Sequence, residues 1–449
     1  MPYYILKLIE NIFYRVFYRI QIRNLHYLNS PKPTIISPNH SNAFIDPTIL
    51  GMLPRKKVRF FARGDVFKGR FMRWLLEGLN ISPMFRMQEG GFNEVRKNDK
   101  TFEECKRLLS EDKNIMLFPE AVCVQERRIR RLRKGLSRIA FMTEEAFDFK
   151  KDLLVVPVGL NYSDPSRMGS SVFIDIGKPF SLKEFGLRYK EDKVKAINEF
   201  TTFLQQRMEE LVVVIENPAH DELVKAIEQV YLRQWMKEEK IKKNDLAGQT
   251  AISKKIAGMV NSCDKKDPAL LAELKSRILP YTASLHRLRL RDHLLAKDAI
   301  HGMNMWTFFR DFLVIWFGMP LYCLGVFMNY PPYFLAKRVA DKKVKQVEFY
   351  ASVHANLAWI LWFPWYGIQL LAVALIFRSW ALLGAYALAV PLLLAFVISY
   401  YPGMKKIFGR WRLLRYVRKK RAEVEKLLYQ REEIISMLDE LKSGYAANP

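Results

Sequence analysis

The stretch TIISPNHSNAFIDP, residues 34–47, decides how the chain is interpreted. Its first four residues favour a strand, and a histidine, His40, and a carboxylate six positions later, Asp46, follow it. An imidazole takes a proton from a hydroxyl near neutral pH, and a carboxylate on its other nitrogen fixes the tautomer and stabilises the imidazolium. The stretch therefore predicts a general base with an orienting acid. The alternative is a helix-start histidine beside an ordinary surface acid.

Short β-rich runs alternate with helical patterns from residue 34 to about residue 180, which is typical of an α/β fold with a mostly parallel sheet flanked by helices. The predicted strands are 34–37, 58–62, 81–85, 114–118, 153–158 and 172–176. Helix-like segments lie at 71–79, 98–110 and 135–146. Ligands of such sheets bind where strands end. Because His40, Arg86 and Glu120 each follow a predicted strand, we expect them to line one pocket.

The formal net charge of +26 indicates an anionic partner, either nucleic acid, an anionic membrane surface or a phosphorylated substrate. Three uncharged runs, 312–336, 351–377 and 379–404, exceed the roughly 20 residues that span a bilayer as a helix. The chain is therefore predicted to be a membrane protein in contact with phospholipid. Its four cysteines show no metal-ligand spacing, so we expect free thiols and no bound metal.

The composition of the remaining segments predicts their structures. Residues 1–30 mix aromatics with arginines and predict an amphipathic interfacial helix, with a core helix as the alternative. Residues 31–185 form the α/β domain, and residues 186–305 predict a helical insert or cap. Residues 351–404 predict a transmembrane hairpin with Arg378 at its far end. Residues 405–449 predict a basic amphipathic helix whose partner is the α/β domain, another copy or anionic headgroups.

Basic residues flank both ends of the hairpin, so the positive-inside tendency places both ends in the cytoplasm. A complete crossing by residues 306–336 would then separate the α/β domain from the basic loop that precedes the hairpin. We therefore predict that this segment, broken by Pro320, Pro331 and Pro332, is re-entrant or interfacial, and that the α/β domain and the C-terminus face the cytoplasm. A third full span is the alternative.

Four short blocks occur in a fixed order, and together they resemble the glycerolipid acyltransferase superfamily, which includes lysophosphatidate and glycerol-3-phosphate acyltransferases. The blocks are Asn39-His40 to Asp46-Pro47, Pro83-Met84-Phe85-Arg86, Phe118-Pro119-Glu120 and Val156-Pro157-Val158-Gly159. The resemblance covers roughly residues 30–185. It implies transfer of a fatty acyl group from acyl-CoA or acyl carrier protein to a hydroxyl of a glycerol-phosphate or lysophospholipid acceptor in phospholipid biosynthesis.

The resemblance also implies roles for individual residues. His40 is the general base and Asp46 its partner, Arg86 is a phosphate ligand, and Asn39, Pro119 and Glu120 belong to the substrate-binding set. A thioester already carries a good leaving group, so one base with charge stabilisation suffices, and no cofactor or metal is required beyond the thioester substrate. A catalytically inactive, membrane-bound lipid-binding or scaffold protein on the same fold is the alternative.

The chain departs from the family pattern in its spacing. Most members place four residues between the histidine and the aspartate, whereas five lie between His40 and Asp46. Six steps of about 100° would put the two side chains about 240° apart on a helix, so we predict a bend or non-helical backbone between them. A five-residue spacing, with membrane segments after the catalytic domain, is similar to the fungal type of glycerol-3-phosphate and dihydroxyacetone-phosphate acyltransferase. Ala121 stands where the family has glycine.

A basic run follows the third block, comprising Arg127, Arg128, Arg130, Arg131 and Lys134. One interpretation is an electropositive rim for phosphorylated substrate, acyl carrier protein or the phosphates of coenzyme A. The other is a basic segment against anionic lipid. Aromatics are not interleaved as a single-stranded nucleic-acid platform requires, so we expect no nucleic acid partner.

Overall fold

A computed structural model describes residues 7, 10–15, 18–67, 69–78, 80–84, 91–167, 169–296 and 305–447. The chain divides into two units. The sheet unit comprises Met1–Val214 and Lys345–Ser352, and the helical unit comprises Ile215–Val344 and Val353–Pro449.

Within the described residues of the sheet unit, eight strands form one sheet. They are β1 (Arg19–Arg23), β2 (Thr34–Pro38), β3 (Val58–Arg63), β4 (Ile81–Met84), β5 (Asn114–Met116), β6 (Leu154–Tyr162), β7 (Ser171–Ile176) and β8 (Phe180–Ser181). The spatial order is β1-β7-β6-β2-β5-β3-β4, and β8 pairs with β6. Only the β6 pairs with β7 and β8 are antiparallel among these strands, so the predicted mostly parallel sheet is confirmed.

The central strand is β2, which lies between β5 and β6 and is parallel to both. Ile36 is in register with Met116 on one side and Val156 on the other. All five residues of β2 are buried, as expected of a parallel strand covered on both faces. The stretch that contains His40 and Asp46 therefore leaves the sheet at its central strand.

Six α-helices with defined bounds accompany the sheet in the described part of this unit, in which residues 10–15 are also helical. They are α1 (Ile45–Gly51), α2 (Arg70–Gly78), α3 (Gly91–Ser110), α4 (Gly135–Glu145), α5 (Gly186–Glu191) and α6 (Lys193–Glu209). One apolar core joins α3, α4 and α6 to the sheet, with Phe141 and Phe200 fully buried against Ile35 and Val155. The ring of Phe141 stacks on Tyr189 at 4.5 Å between centroids.

The prediction of an interfacial helix over residues 1–30 is wrong for residues 19–23. These residues form the edge strand β1, whose register with β7 runs from Arg19 opposite Ser171 to Arg23 opposite Asp175. Arg23 pairs with the buried Asp175 through two hydrogen bonds. Ile20 and Ile22 alternate with polar residues, which is the period of a strand rather than a helix.

The predicted boundary at residue 185 is also wrong, because the sheet unit continues to Val214. Helix α6 contributes Phe200, Leu204 and Met208 to the core of the sheet. Beyond α6, the backbone oxygen of Leu211 lies so close to Gly159 on β6 that a Cβ there would approach it to 2.5 Å. A glycine is therefore needed in the fourth sequence block for the chain after α6 to pack on β6.

The helical unit contains α7 (Asp221–Glu238), α8 (Leu246–Lys266), α9 (Pro268–Arg287), α10 (Met305–Lys343), α11 (Val347–Phe377), α12 (Trp380–Lys419) and α13 (Arg421–Ala447) among the described residues, with the first six residues of α11 counted in the sheet unit. Asp245 and Asp267 cap α8 and α9, because each side chain accepts a hydrogen bond from a backbone N–H of the first turn. The helical region predicted after the α/β domain is confirmed.

Helices α10, α11 and α12 are each long and apolar enough to cross a membrane. Only Arg378 and Ser379 separate α11 from α12, which confirms the predicted hairpin with Arg378 at its closed end. The expected break at the prolines of α10 is wrong, since Pro320, Pro331 and Pro332 lie inside one continuous helix.

Side chains of α11 replace hydrogen bonds that two prolines remove. Pro332 has no N–H for the oxygen of Met328, and that oxygen accepts from Trp365 Nε1 at 2.7 Å and Gln369 Nε2 at 2.9 Å. Pro391 leaves the oxygen of Ala387 in the same situation, and Tyr366 donates to it at 2.6 Å. A bilayer offers no water for such groups, so these donors allow prolines inside apolar helices.

Contacts along α10 place both of its ends near the open end of the hairpin. Near its start, Asp311 accepts from Arg410 Nε at 2.8 Å. In its middle, Met328 contacts Trp365 and Gln369, deep in the hairpin. Near its end, the ring of Tyr333 lies 4.7 Å from that of His354, seven residues after α11 begins.

The C-terminal segment is two helices, not the single one predicted over residues 405–449, because α12 continues to Lys419. The sequence left the partner of this segment open, and within the helical unit α13 packs on α7, α8 and α9. Tyr231 donates to Asp439, and Arg431 Nε donates to the buried Asp292 at 3.0 Å.

Candidate active site

His40 lies just beyond the carboxyl end of β2, and its neighbour Asn39 fixes the direction in which the chain leaves the sheet. The Asn39 side chain accepts from Leu160 N at 2.7 Å and donates to Leu160 O at 3.2 Å. Asn39 is buried, and both ends of its amide are used by β6. This residue, predicted to contact substrate, thus ties the end of β2 to β6 and positions His40.

His40 and Asp46 meet as the sequence requires. His40 Nδ1 lies 3.0 Å from Asp46 Oδ2. Residues 41–44 form a non-helical turn, and α1 begins only at Ile45. The predicted bend is confirmed, and it compensates for the extra residue between the two side chains.

Asp46 is fully buried and is surrounded by donors. Oδ2 accepts from the backbone N–H groups of Ser41 at 2.8 Å and Asn42 at 2.7 Å, and Oδ1 accepts from the hydroxyl of Tyr162 at 2.5 Å. These donors satisfy the oxygens of a carboxylate that is shielded from water. An acceptor at Oδ2 assigns the imidazole proton of His40 to Nδ1 and leaves the lone pair on Nε2.

Tyr162 is a site residue that the sequence analysis did not assign. Burial raises the pKa of Tyr162 well above its usual value, and the neighbouring Asp46 carboxylate raises it further. The hydroxyl therefore stays protonated and remains a donor to Asp46. Its position was available from the pattern, because Tyr162 ends β6, the parallel neighbour of β2, and the carboxyl ends of parallel strands share one edge.

One face of the His40 imidazole packs on an aromatic ring, and part of the imidazole is exposed to solvent. It stacks on Phe118, with 4.1 Å between ring centroids and 28° between planes. The side chain is 15% exposed, so a reactant can reach it while most of the ring is fixed.

Glu120 bridges two loops through its backbone contacts. Oε1 accepts from His40 N and Oε2 accepts from Arg130 N, both at 3.1 Å. Burial raises the pKa of Glu120, and these two hydrogen bonds oppose that shift by favouring the carboxylate. Next to it, the oxygen of Pro119 accepts from Arg133 N at 2.8 Å. The structure thus places Glu120 in contact with His40, and the predicted contact of Pro119 and Glu120 with substrate stays a prediction.

Some residues of the basic run form ion pairs within the loop, and others are exposed. Arg128 and Arg130 both pair with Glu126, at 2.7 Å and 2.5 Å. Arg131 and Lys134 are exposed, and Arg127 is half-buried. Part of the positive charge of this run is therefore balanced within the loop. Arg86 lies outside the described residues, so its predicted place beside His40 and Glu120 stays a prediction.

No three His, Cys, Asp or Glu side chains are arranged to hold a metal ion within the part of the chain that the structure describes. The groups around His40 are instead one imidazole, two buried carboxylates and a tyrosine hydroxyl, which is a set suited to proton transfer.

Three comparisons with known proteins found similarity to acyltransferases. Residues 19–161 match the model of the family described as Acyltransferase. Glycerol-3-phosphate O-acyltransferase 1 of Saccharomyces cerevisiae is 25% identical over 247 residues, which are 53% of this chain and 31% of the yeast protein. A chloroplastic 1-acyl-sn-glycerol-3-phosphate acyltransferase of Arabidopsis thaliana is 25% identical over 35% of this chain and 40% of its own length. The chain thus spans well under half of either relative.

Among solved structures, the 1-acyl-sn-glycerophosphate acyltransferase of Thermotoga maritima is similar, with 20% sequence identity and a TM-score of 0.34. The match covers 46% of this chain and 79% of the bacterial one.

The backbone at Ala121, in the third sequence block, is predicted to be strained. Its φ of +57° lies in the left-handed region, where a Cβ costs roughly 1–2 kcal/mol. We expect Ala121→Gly to stabilise the protein by about 1 kcal/mol and to raise its unfolding midpoint in detergent. Ala140→Gly, in α4, is the control and is expected to lower the midpoint. An unfolding midpoint of Ala121→Gly at or below that of the wild type would show that the backbone at Ala121 is not strained.

Proposed function

We propose that the chain is a membrane-bound O-acyltransferase, because residues 19–161 match the model of the family described as Acyltransferase. Its donor is an acyl thioester, acyl-CoA or acyl carrier protein, and its acceptor is a hydroxyl of glycerol-3-phosphate or a related glycerol-phosphate or lysophospholipid. The observation that carries the proposal is the 3.0 Å contact between His40 Nδ1 and the buried Asp46. The names of the two curated relatives favour a glycerol-phosphate-type acceptor.

The proposed reaction is a single displacement at the thioester carbonyl. Nε2 of His40 takes the proton of the acceptor hydroxyl as its oxygen bonds to the carbonyl carbon. Collapse of the tetrahedral intermediate breaks the C–S bond, and the departing thiolate recovers the proton from the imidazolium. Asp46 keeps Nδ1 protonated and stabilises the imidazolium, so the ring presents the correct nitrogen throughout.

Other residues act on position and charge. Glu120 and Asn39 hold the backbone at His40, through hydrogen bonds to His40 N and to Leu160. Arg86 binds the acceptor phosphate, for which its planar guanidinium is suited. The exposed Arg131 and Lys134 form the rim toward coenzyme A phosphates or acyl carrier protein. No cofactor other than the thioester is needed for this chemistry.

We propose that the reaction takes place at a lipid surface, with the sheet unit and the C-terminus facing the cytoplasm, because three helices are long and apolar enough to cross a membrane. In sequence, the sheet unit includes residues before and after α10, namely Met1–Val214 and Lys345–Ser352, and this chain order supports a path in which both ends of α10 lie on one side of the membrane. The contacts of Asp311 and Tyr333 with the open end of the hairpin support the same path. Helix α10 is therefore proposed to be re-entrant, and because its backbone is helical throughout, it turns back by a kink at Pro331 and Pro332 rather than by a break in the helix.

The activity is tested with purified protein, labelled acyl chains and a panel of glycerol-3-phosphate, dihydroxyacetone phosphate and lysophosphatidate, each with acyl-CoA and acyl carrier protein. We expect His40→Ala to lower the rate by about 10²- to 10⁴-fold, because the base is lost. The exposed histidine His26 serves as control, and His26→Ala should keep the wild-type rate.

Full activity in His40→Ala would refute the mechanism. No turnover by the wild type with any pair of substrates, together with tight phospholipid binding, would replace the proposal with the lipid-binding scaffold.

The membrane path is tested by cysteine labelling in a variant whose four native cysteines are replaced by alanine. An impermeant maleimide is applied to sealed vesicles of either orientation. We expect Met305→Cys and Lys343→Cys, at the two ends of α10, to react from the same side, and Arg378→Cys to react from the other. Labelling of the first two from opposite sides would establish a full crossing instead.

A further inference from the structure

The turn between His40 and Asp46 is fastened by residues more than 300 positions away in sequence. Asp46 Oδ2 satisfies the N–H groups of Ser41 and Asn42. The next two N–H groups of the turn point to the first turns of α11 instead. Ala43 N donates to the oxygen of Glu348 at 3.2 Å, and Phe44 N donates to Ser352 Oγ at 3.0 Å.

Ser352 uses its hydroxyl in both directions. It accepts from Phe44 N and donates to Oδ1 of Asn42. Asn42 in turn donates through Nδ2 to the oxygen of Pro165 at 2.7 Å. Asn42 and Ser352 are fully buried, so water does not replace these bonds when one partner is removed.

An aromatic contact strengthens the same junction. The ring of Phe44 meets that of Phe349 edge to face, with 5.6 Å between centroids. Glu348, Phe349 and Ser352 all lie in the first two turns of α11, within the part of that helix that belongs to the sheet unit. This surface, residues 348, 349 and 352, is called the α11 strap below.

We propose that Ser352 is a positioning residue for the His40–Asp46 pair, and that the α11 strap is thereby part of the active centre. The inference rests on the proposed function. The bend makes the base depend on a four-residue turn rather than on a regular helix, and Ser352 fixes that turn at Asn42 and Phe44. An error of about 1 Å in the position of a catalytic group costs about 10²-fold in rate. The start of a membrane helix thus sets the geometry of the base.

The test compares Ser352→Ala with two other variants of the full chain. In Ser352→Ala we expect kcat to fall by about 10-fold or more, while KM for donor and acceptor stays within about twofold, because proton removal and not substrate contact is affected. Ser352→Thr keeps the hydroxyl and should restore most of kcat. Ser137→Ala removes another buried hydroxyl of the sheet unit, which bonds Thr201 at 2.7 Å, and should lower stability without lowering kcat.

A second measurement does not depend on activity. Diethyl pyrocarbonate modifies the accessible imidazole of His40, and peptide mass spectrometry gives its rate. We expect Ser352→Ala to increase that rate several-fold because the turn loosens, and Ser137→Ala to leave it unchanged.

The outcomes separate this inference from the proposed function. Wild-type kcat in Ser352→Ala, or an unchanged labelling rate of His40, overturns the positioning role and leaves the function standing. Absence of transfer by the wild type, with faster labelling in Ser352→Ala, overturns the function and leaves the role of Ser352 in holding the turn.

Discussion

The buried carboxylate of Asp46 is the interaction on which the rest of the site depends. An ionised group without water is tolerated only where donors surround it, and Asp46 has four, from His40, Ser41, Asn42 and Tyr162. Asp46 can accept from all four donors only because the end of β2, a non-helical turn, the start of α1 and the end of β6 lie close together. The sheet brings the strand ends together, because β2 and β6 are parallel neighbours.

The second carboxylate, Glu120, performs a related task at the backbone. By accepting from His40 N and Arg130 N, it joins the strand end to the basic loop. Asp46 thus fixes the imidazole ring of His40, and Glu120 fixes its backbone N–H. Such preorganisation suits a base that acts on a neutral hydroxyl, since little motion is needed when the proton moves.

The sequence predicted the parts of the fold that repeat a strong pattern. Strands β2 and β6 were found because buried parallel strands form mostly apolar runs, and the hairpin was found because only Arg378 interrupts its charge-free length. Strand β1 was missed because its arginines beside aromatic residues were given more weight than the alternation of Ile20 and Ile22.

In the candidate site as well, some contacts were predicted from the sequence and others were not. The His40–Asp46 pair was predicted from its chemistry and from the family resemblance, and the bend was predicted from the spacing. The contact between Ser352 and Asn42 has no local signal, because 310 residues separate the two. Asn39 and Glu120 were predicted to be near His40, and they are, but their polar atoms are used by backbone groups that no sequence pattern reveals. Contacts between distant segments depend on the tertiary fold.

The most direct measurement of the central claim is the rate of acyl transfer by Asp46→Asn, which keeps the shape of the side chain and removes its charge. The buried Asp175, which pairs with Arg23 away from the site, gives the matched control Asp175→Asn. If Asp46 orients His40 as the base, Asp46→Asn lowers kcat by about 10²-fold or more at unchanged KM, while Asp175→Asn affects stability alone. Equal kcat in Asp46→Asn and the wild type would contradict that role.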